Sequence, residues 1–334
     1  MLQEKIFNIQ TPEDFKNITL EVFNFQYKNV KVYRQFCDML KINPKQVTEV
    51  SEIPFLPIQF FKSHLIITEG YNKETIFTSS GTTGSITSKH YVASTKLYEE
   101  SFNKAFQNQY GNPTDYTILA LLPSYLEREG SSLIYMVDSL IKQSENINSG
   151  FYLHEMDALI EKLAFLEAEG KKTLLLGVSY ALLDLIETQS FQLKNTIVME
   201  TGGMKGRRKE MIKEELHAVL QQGFGVSEIH SEYGMTELLS QAYSTGKGIF
   251  TYPPWMKILT RDTEDPFTYV DGKNGGINVI DLANLYSCSF IATQDLGKLH
   301  KNNTFEILGR FDDSDIRGCN LMMLSPSVIK LIKC

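Results

Sequence analysis

Apolar positions recur along this chain with two different periods. Met156, Leu159, Ile160, Leu163 and Leu166 fall three and four residues apart, which predicts an amphipathic helix that Gly170 ends. Lys209–Gln221 repeats that spacing through Met211, Ile212, Leu216, Val219 and Leu220, and Tyr180–Glu187 reads as a further helix. Between these segments stand short apolar runs, Thr117–Leu122, Thr173–Val178 and Thr196–Met199, the pattern of strands covered on both faces. Strand and helix alternate from about Asn112 to Glu237, so the expected fold class is α/β with a largely parallel sheet. The first stretch, to about residue 60, reads as helical and rich in aromatics. Thr11 is placed as a cap, Pro12 suits a first turn, and Glu13 and Asp14 suit the positive end of a helix dipole. Ile53–Pro57 reads as an extended linker, because each proline disfavours helix just before it. Beyond Lys247, short strands such as Gly276–Asp281 and Ser289–Ala292 between Pro, Gly and Asn turns predict a smaller β-rich subdomain.

Composition narrows the class without naming a chemistry. The chain has 334 residues, 42% hydrophobic and 22% charged, the balance of a globular protein rather than a disordered chain or a fibre. No apolar run approaches the ~18 residues of a membrane helix, and the start lacks a basic stretch leading into an apolar one, so neither a membrane span nor a signal peptide is expected. A net charge of −7 argues against a nucleic-acid partner, whose binding rests on phosphate neutralisation. The four cysteines, Cys37, Cys288, Cys319 and Cys334, show no C-x-x-C spacing, which disfavours a disulfide framework and a structural zinc and points to a reducing cytoplasm.

Four segments carry candidate chemistry. Phe77–Lys89 is mostly Ser, Thr and Gly and closes with Lys89; its small residues would let backbone N–H groups approach a phosphate, though a ligand-free flexible loop has the same composition. It lacks the Gly-Lys-Ser/Thr of a Walker A loop. Glu200–Lys209 places the Gly202-Gly203 pair just after a strand, where open α/β sheets bind ligands, while Arg207, Arg208 and Lys209 read as a solvated basic face sooner than a polyanion site. Ser231–Glu237 offers Tyr233 as a stacking face, Gly234 for close approach, a hydroxyl from Thr236 and the Glu237 carboxylate for a metal, or else a plain helix entry. Asp295 and Arg310 flank a predicted hairpin and suit a sugar's hydroxyls, or a surface salt bridge.

The order of these segments is more specific than any one of them. A Thr-Ser-Ser-Gly-Thr-Thr-Gly loop, a Gly-Gly after a strand, Tyr-Gly-Met-Thr-Glu, an Asp before Leu-Gly and a Gly-Arg-x-Asp-Asp run resemble the adenylate-forming superfamily over residues 77 to 319. Within it, the short length and the run Glu-Thr-Gly-Gly-Met-Lys-Gly-Arg-Arg look like the LuxE-type acyl-protein synthetases, with phenylacetate-CoA ligase as a further relative. The resemblance implies the N-terminal-domain fold of adenylate-forming enzymes with a β-rich subdomain, lacking the usual C-terminal lid domain. It divides the chain into a helical segment (1–60), an α/β nucleotide-binding core (61–246), a β-rich subdomain (247–309) and a short tail after the hinge (310–334).

By the same resemblance the chain uses ATP and Mg²⁺ to activate a fatty or other carboxylic acid. Thr78, Ser79, Ser80, Gly81, Thr82, Thr83 and Gly84 would cradle the phosphates, and Lys89 would add charge. Gly202 and Gly203 would line the adenine pocket, Tyr233 and Gly234 would contact the base, Thr236 the α-phosphate and Glu237 the metal, with Asp295 and Arg310 on the ribose. The acyl group would then pass to Cys319, beside Arg317, with Cys288 and Cys334 as alternatives, or to a partner such as an acyl reductase. An acyl- or aryl-CoA ligase and a catalytically silent nucleotide- or acyl-binding subunit are the other readings; the retained Glu237, Asp295 and Arg310 speak against silence.

Overall fold

Thr11 caps a helix as its position predicts. Its side chain accepts a hydrogen bond from the Asp14 amide, the Asp14 carboxylate accepts from the Thr11 amide, and Pro12 opens the helix Pro12–Asn29. The computed structural model describes residues 1–79, 86–123, 130–152, 155–204, 207–209 and 211–311. Helices Leu2–Ile6 and Lys31–Met39 flank the capped one, and Phe15, Val22, Phe23, Tyr33 and Phe36 turn their side chains into the core.

The strands follow in chain order: β1 (Leu56–Pro57), β2 (Thr75–Thr78), β3 (Lys89–Val92), β4 (Thr117–Leu121), β5 (Gly150–Tyr152), β6 (Thr173–Val178), β7 (Thr196–Thr201), β8 (His230–Tyr233), β9 (Ala242–Ser244), β10 (Ile249–Thr251), β11 (Met256–Arg261), β12 (Asn274–Asp281), β13 (Phe290–Leu299) and β14 (Phe305–Arg310). Every residue of β4 and β6 is buried, as unbroken apolar runs demand of strands covered on both faces. β5, β4, β6, β7 and β8 lie side by side and parallel, with helices Ser132–Gln143, Met156–Ala168, Ser179–Thr188 and Lys213–Phe224 between successive strands. From β8 the same sheet continues antiparallel through β9, β10, β14, β13, β12 and β11, so the β-rich part and the α/β part share one hydrogen-bonded surface. β2 and β3 form a separate hairpin.

Three elements differ from the sequence reading. Ile53–Pro57 is no free linker: Leu56 and Pro57 pair parallel with Ile291 and Ala292 of β13, and Ile53, Phe55 and Leu56 are buried, since this apolar run gains more against the sheet than in water. The helix expected over 209–221 is Lys213–Phe224. Ile212 is still extended, and at the far end Gly225 takes a left-handed conformation (φ +67°) where a Cβ would stand 2.7 Å from the Phe191 carbonyl oxygen. The strand expected over 289–292 runs on to Leu299, because its register with β14 carries it past the turn.

Parallel strands send all their C-terminal ends to one edge. Tyr233 of β8 and Thr201 of β7 therefore end at the same level, and the β13–β14 hairpin stands across β10 and β9 from them. Ligands of open α/β sheets gather at such an edge.

Candidate active site

β8 delivers Tyr233 into an apolar niche. Its ring meets Phe250 and Phe305 edge-on, with centroids 5.9 and 5.6 Å apart, and its hydroxyl donates to Asp295 Oδ2 at 2.8 Å. Asp295 on β13 stands opposite Arg310 on β14, and Arg310 Nε donates to the other carboxylate oxygen at 3.1 Å. Burial, reinforced by the Asp295 charge, holds the Tyr233 phenol well above its usual range, so it remains a donor. Asp295 is 6% exposed whereas the Arg310 side chain is 73% exposed, which leaves the guanidinium presented to an incoming group from a fixed base. Changing Asp295 to Ala removes the acceptor for both. If the pair holds the ribose, we expect kcat/KM for ATP to fall ~10- to 100-fold, the worth of a charged hydrogen bond. An unchanged value in a variant of wild-type melting temperature would make Asp295 a structural residue only.

Gly234 leads from β8 into the turn that carries Thr236 and Glu237. Glu237 is 5% exposed, and burial raises its carboxyl pKa; the neighbouring Ser88 hydroxyl and the Arg310 charge pull in the other direction. A buried carboxylate with so little to neutralise it suits a cation. Among the described residues no group of three or more His, Cys, Asp or Glu forms a ready-made metal cage around Glu237. Mg²⁺ commonly binds without such a cage, through one or two carboxylates plus substrate phosphates.

The turn is braced from behind. Asp281 accepts from the Leu239 amide (2.7 Å), the Ser240 amide (2.9 Å) and the Ser240 hydroxyl (2.6 Å). Asn284 Nδ2 donates to the Glu237 carbonyl at 2.8 Å, and His90 Nδ1 to the Thr236 carbonyl at 2.8 Å. Burial drives the His90 pKa down to about 4, so the ring is neutral. A carbonyl can only accept, so Nδ1 carries the proton and Nε2 accepts from the Ser287 hydroxyl at 2.9 Å.

The Ser/Thr segment sits on the β2–β3 hairpin. The Ser79 amide donates to the Ser88 carbonyl at 3.1 Å and the Ser88 amide to Ser79 Oγ at 2.9 Å, which clips the two stems together; the Thr78 amide donates to the Gly130 carbonyl at 2.8 Å. Lys89 lies opposite Thr78 and is exposed, alternating with Ser88 and His90, which are buried. Ser80, Gly81, Thr82, Thr83, Gly84 and Cys319 lie outside the described residues.

Gly202 and Gly203 follow β7. Gly202 is left-handed (φ +68°), and its carbonyl accepts from Ser179 Oγ at 3.4 Å. Beneath it Glu200 is 2% exposed. Burial alone would raise its pKa, but Lys213, whose Nζ lies 2.5 Å from Oε1, brings it down to about 2. Of the basic run, Arg208 is tied to Asp184 and Glu187 and Arg207 lies over the Tyr180 ring at 4.9 Å, so both are engaged with the helix Ser179–Thr188.

The structure thus brings Tyr233, Asp295, Arg310 and Glu237 together and sets Lys89 on the outer face of its strand. Sequence reasoning missed His90, Asp281 and Asn284. His90 belongs to no metal motif; its signal in the sequence is its place two residues beyond Ser88, at the root of the Ser/Thr loop.

Solved structures place this architecture. A 2-hydroxyisobutyryl-CoA ligase superposes with a TM-score of 0.67 at 10% identity, covering 91% of this chain and 72% of that one. ATP-bound MatB from Rhodopseudomonas palustris gives 0.55 at 18% identity over 73% of this chain, which spans 49% of MatB, about half its length. These likenesses define the fold as that of the adenylate-forming ligases. Residues 7–112 and 144–326 match the family model "Acyl-protein synthetase, LuxE", and the chain belongs to that family. Among its relatives, the long-chain-fatty-acid–luciferin-component ligase of Vibrio harveyi is 23% identical over 326 residues, covering 90% of this chain and 85% of its own length. The protein of that name from Photorhabdus luminescens is 37% identical over 70 residues, 21% of this chain and 60% of that one.

Proposed function

We propose that this protein activates a long-chain fatty acid with MgATP and passes the acyl group to a cysteine thiol on itself or to a partner protein. The observation that carries the reading is the convergence of the Asp295–Arg310 pair, Tyr233 and the Thr236–Glu237 turn at one edge of an adenylate-forming sheet, in a chain of the acyl-protein synthetase family. A carboxylate oxygen of the acid attacks the α-phosphorus of ATP, the bond to the bridging oxygen breaks, and pyrophosphate leaves. Charge on the phosphoryl oxygens dominates the barrier, so positioned donors and cations do most of the work. The hairpin loop serves that end, with Thr236 against the α-phosphate, and Asp295 and Arg310 fix the nucleotide through its sugar. A Mg²⁺ ion held at Glu237 would supply charge neutralisation at the phosphates. The Tyr233 ring and the Gly202-Gly203 turn border the base.

In the second step a thiolate attacks the acyl carbonyl, AMP leaves, and a thioester forms. Two of the four thiols are poor candidates. Cys37 and Cys288 are buried, burial pushes both pKa values upward, that of Cys288 to about 12, and a thiol that stays protonated is not a nucleophile. This leaves Cys319 and Cys334. Cys319 stands nine residues beyond Arg310, and an extended chain of that length reaches roughly 30 Å, enough to return to the edge from which it departs.

The test incubates the purified protein with MgATP and a panel of aliphatic and aromatic acids, following pyrophosphate, and then with radiolabelled acid. Long-chain acids should give the fastest release, and the protein should gain a hydroxylamine-sensitive label. Cys319→Ser should lose the label and keep pyrophosphate release. Normal labelling of Cys319→Ser with none of Cys334→Ser would move the acceptor to Cys334. Acylation of added CoA without labelled protein would replace the reading with that of a CoA ligase.

A further inference from the structure

The groups assigned to nucleotide and metal leave unexplained why a histidine is buried behind the turn that carries two of them. His90 is 1% exposed. It shares the inner face of β3 with Ser88, two residues away, and both reach the turn: Ser88 lies beside the Glu237 carboxylate, and His90 Nδ1 donates to the Thr236 carbonyl. On its other side the ring accepts from Ser287, and Phe61 packs edge-on against it with centroids 5.6 Å apart. Ser287 belongs to the segment that runs on from the end of β12, where Asp281 closes the strand and Asn284 follows it, both bonded to the turn. That segment is seated by Gln26, whose side-chain amide donates to the Asn284 and Leu285 carbonyls, each at 2.9 Å, and accepts from the Ser289 amide at 3.0 Å. His90 is therefore the side chain that joins the backbone of the turn to the strand closing the Ser/Thr hairpin.

We propose that His90 is a positioning residue of the adenylation step: the neutral imidazole fixes the distance between the β2–β3 hairpin and the Thr236–Glu237 turn. The inference rests on the functional reading above, which puts the phosphates between those two elements. A planar ring with a donor at one nitrogen and an acceptor at the other holds both neighbours at once. A displacement of ~1 Å at a reacting centre costs on the order of 10²-fold in rate, so a strut of this kind acts on kcat without touching substrate.

Shape separates the variants. The amide nitrogen of Asn stands close to the position of Nδ1, and that of Gln nearer Nε2, so His90→Asn keeps the donor to Thr236 while His90→Gln and His90→Ala lose it. We expect His90→Asn to keep kcat for pyrophosphate release within about threefold of wild type. The other two should lose on the order of 100-fold, with the KM of the fatty acid unchanged and melting temperatures like that of His90→Asn. Imidazole ¹⁵N NMR of the wild-type protein supplies a readout independent of activity: one neutral ring protonated at Nδ1 at pH 7. Equal kcat for the Asn and Gln variants overturns the proposal, as do losses that merely follow melting temperature, or a His90 ring protonated at Nε2. A wild-type protein that releases no pyrophosphate with any acid fails the functional reading itself, and the positioning role falls with it, whereas an active wild type with equivalent variants fails only the role of His90.

Discussion

Replacing Glu237 with Gln should all but abolish pyrophosphate release and leave the fold intact. The carboxylate is buried at the end of the β8 turn, where the Ser88 hydroxyl, its own backbone amide and the Arg310 charge only partly offset the cost of burial, so its ionised form is costly unless a cation joins it. Gln keeps the shape and removes the charge. Metal polarisation of a phosphoryl oxygen is worth several kcal/mol, so the rate should fall by a factor of ~10² to 10⁴. Because burial raises the Glu237 pKa, the neutral amide is no harder to bury than the ion, and thermal stability at neutral pH should hold or rise slightly. Release near the wild-type rate from a folded variant would remove Glu237 from the metal site.

Glu232→Gln should stabilise the protein increasingly as pH rises. Glu232 precedes Tyr233 on β8, accepts from Thr201 Oγ1 at 2.5 Å and is 8% exposed. Burial is the main cause that lifts its pKa from 4.5 to about 7; the nearby Glu200 adds to the rise, and Thr201 and Lys213 oppose it. A carboxyl whose folded pKa exceeds its unfolded value contributes fully below the unfolded value and loses that contribution as pH climbs through the folded one. The interval from 4.5 to 7 at 1.36 kcal/mol per unit comes to about 3 kcal/mol by pH 8, which Gln would not forfeit. Melting curves of both proteins from pH 5 to pH 8 should diverge in favour of the variant, and parallel curves would show that Glu232 is ionised throughout. Glu200, which stands opposite Ser231 on the neighbouring β7, has the opposite sign: with its pKa down at about 2 it contributes at neutral pH and loses this as pH falls from 4.5 toward 2.

Much of this molecule was legible because short-range rules dominate where it was read correctly. The buried strands announced themselves as unbroken apolar runs, Thr11 and Pro12 met a capping requirement within three residues, and the order of the Ser/Thr loop, Tyr-Gly-Met-Thr-Glu and Asp295…Arg310 marked the edge of the sheet. What stayed hidden depends on partners far away in the chain. Nothing local tells that Leu56 will pair with Ile291, or that the Thr236 carbonyl will fix the tautomer of His90 from 146 positions on. Boundaries failed for the same reason: β13 extends because β14 lies against it, and Met211 and Ile212 stay out of the following helix although their spacing suits one. The role of Asp281 was equally unreadable, since three of its four donors lie on Leu239 and Ser240, about forty residues upstream.

Gln26 carries a consequence for how the protein comes into being. Among the described residues its amide is satisfied by partners 258 to 263 positions later. During synthesis from the N-terminus, a helix carrying that polar group waits for most of the chain to emerge before the group has its partners. Buried amides without partners are costly, so the amino-terminal helices cannot reach their final seat on the ribosome until the last third of the protein has been made. The segment that braces the Thr236–Glu237 turn is on this account among the last parts of the polypeptide to find its place. Truncated products would expose the aromatic side chains of those helices to the cell's quality control before any adenylate could form.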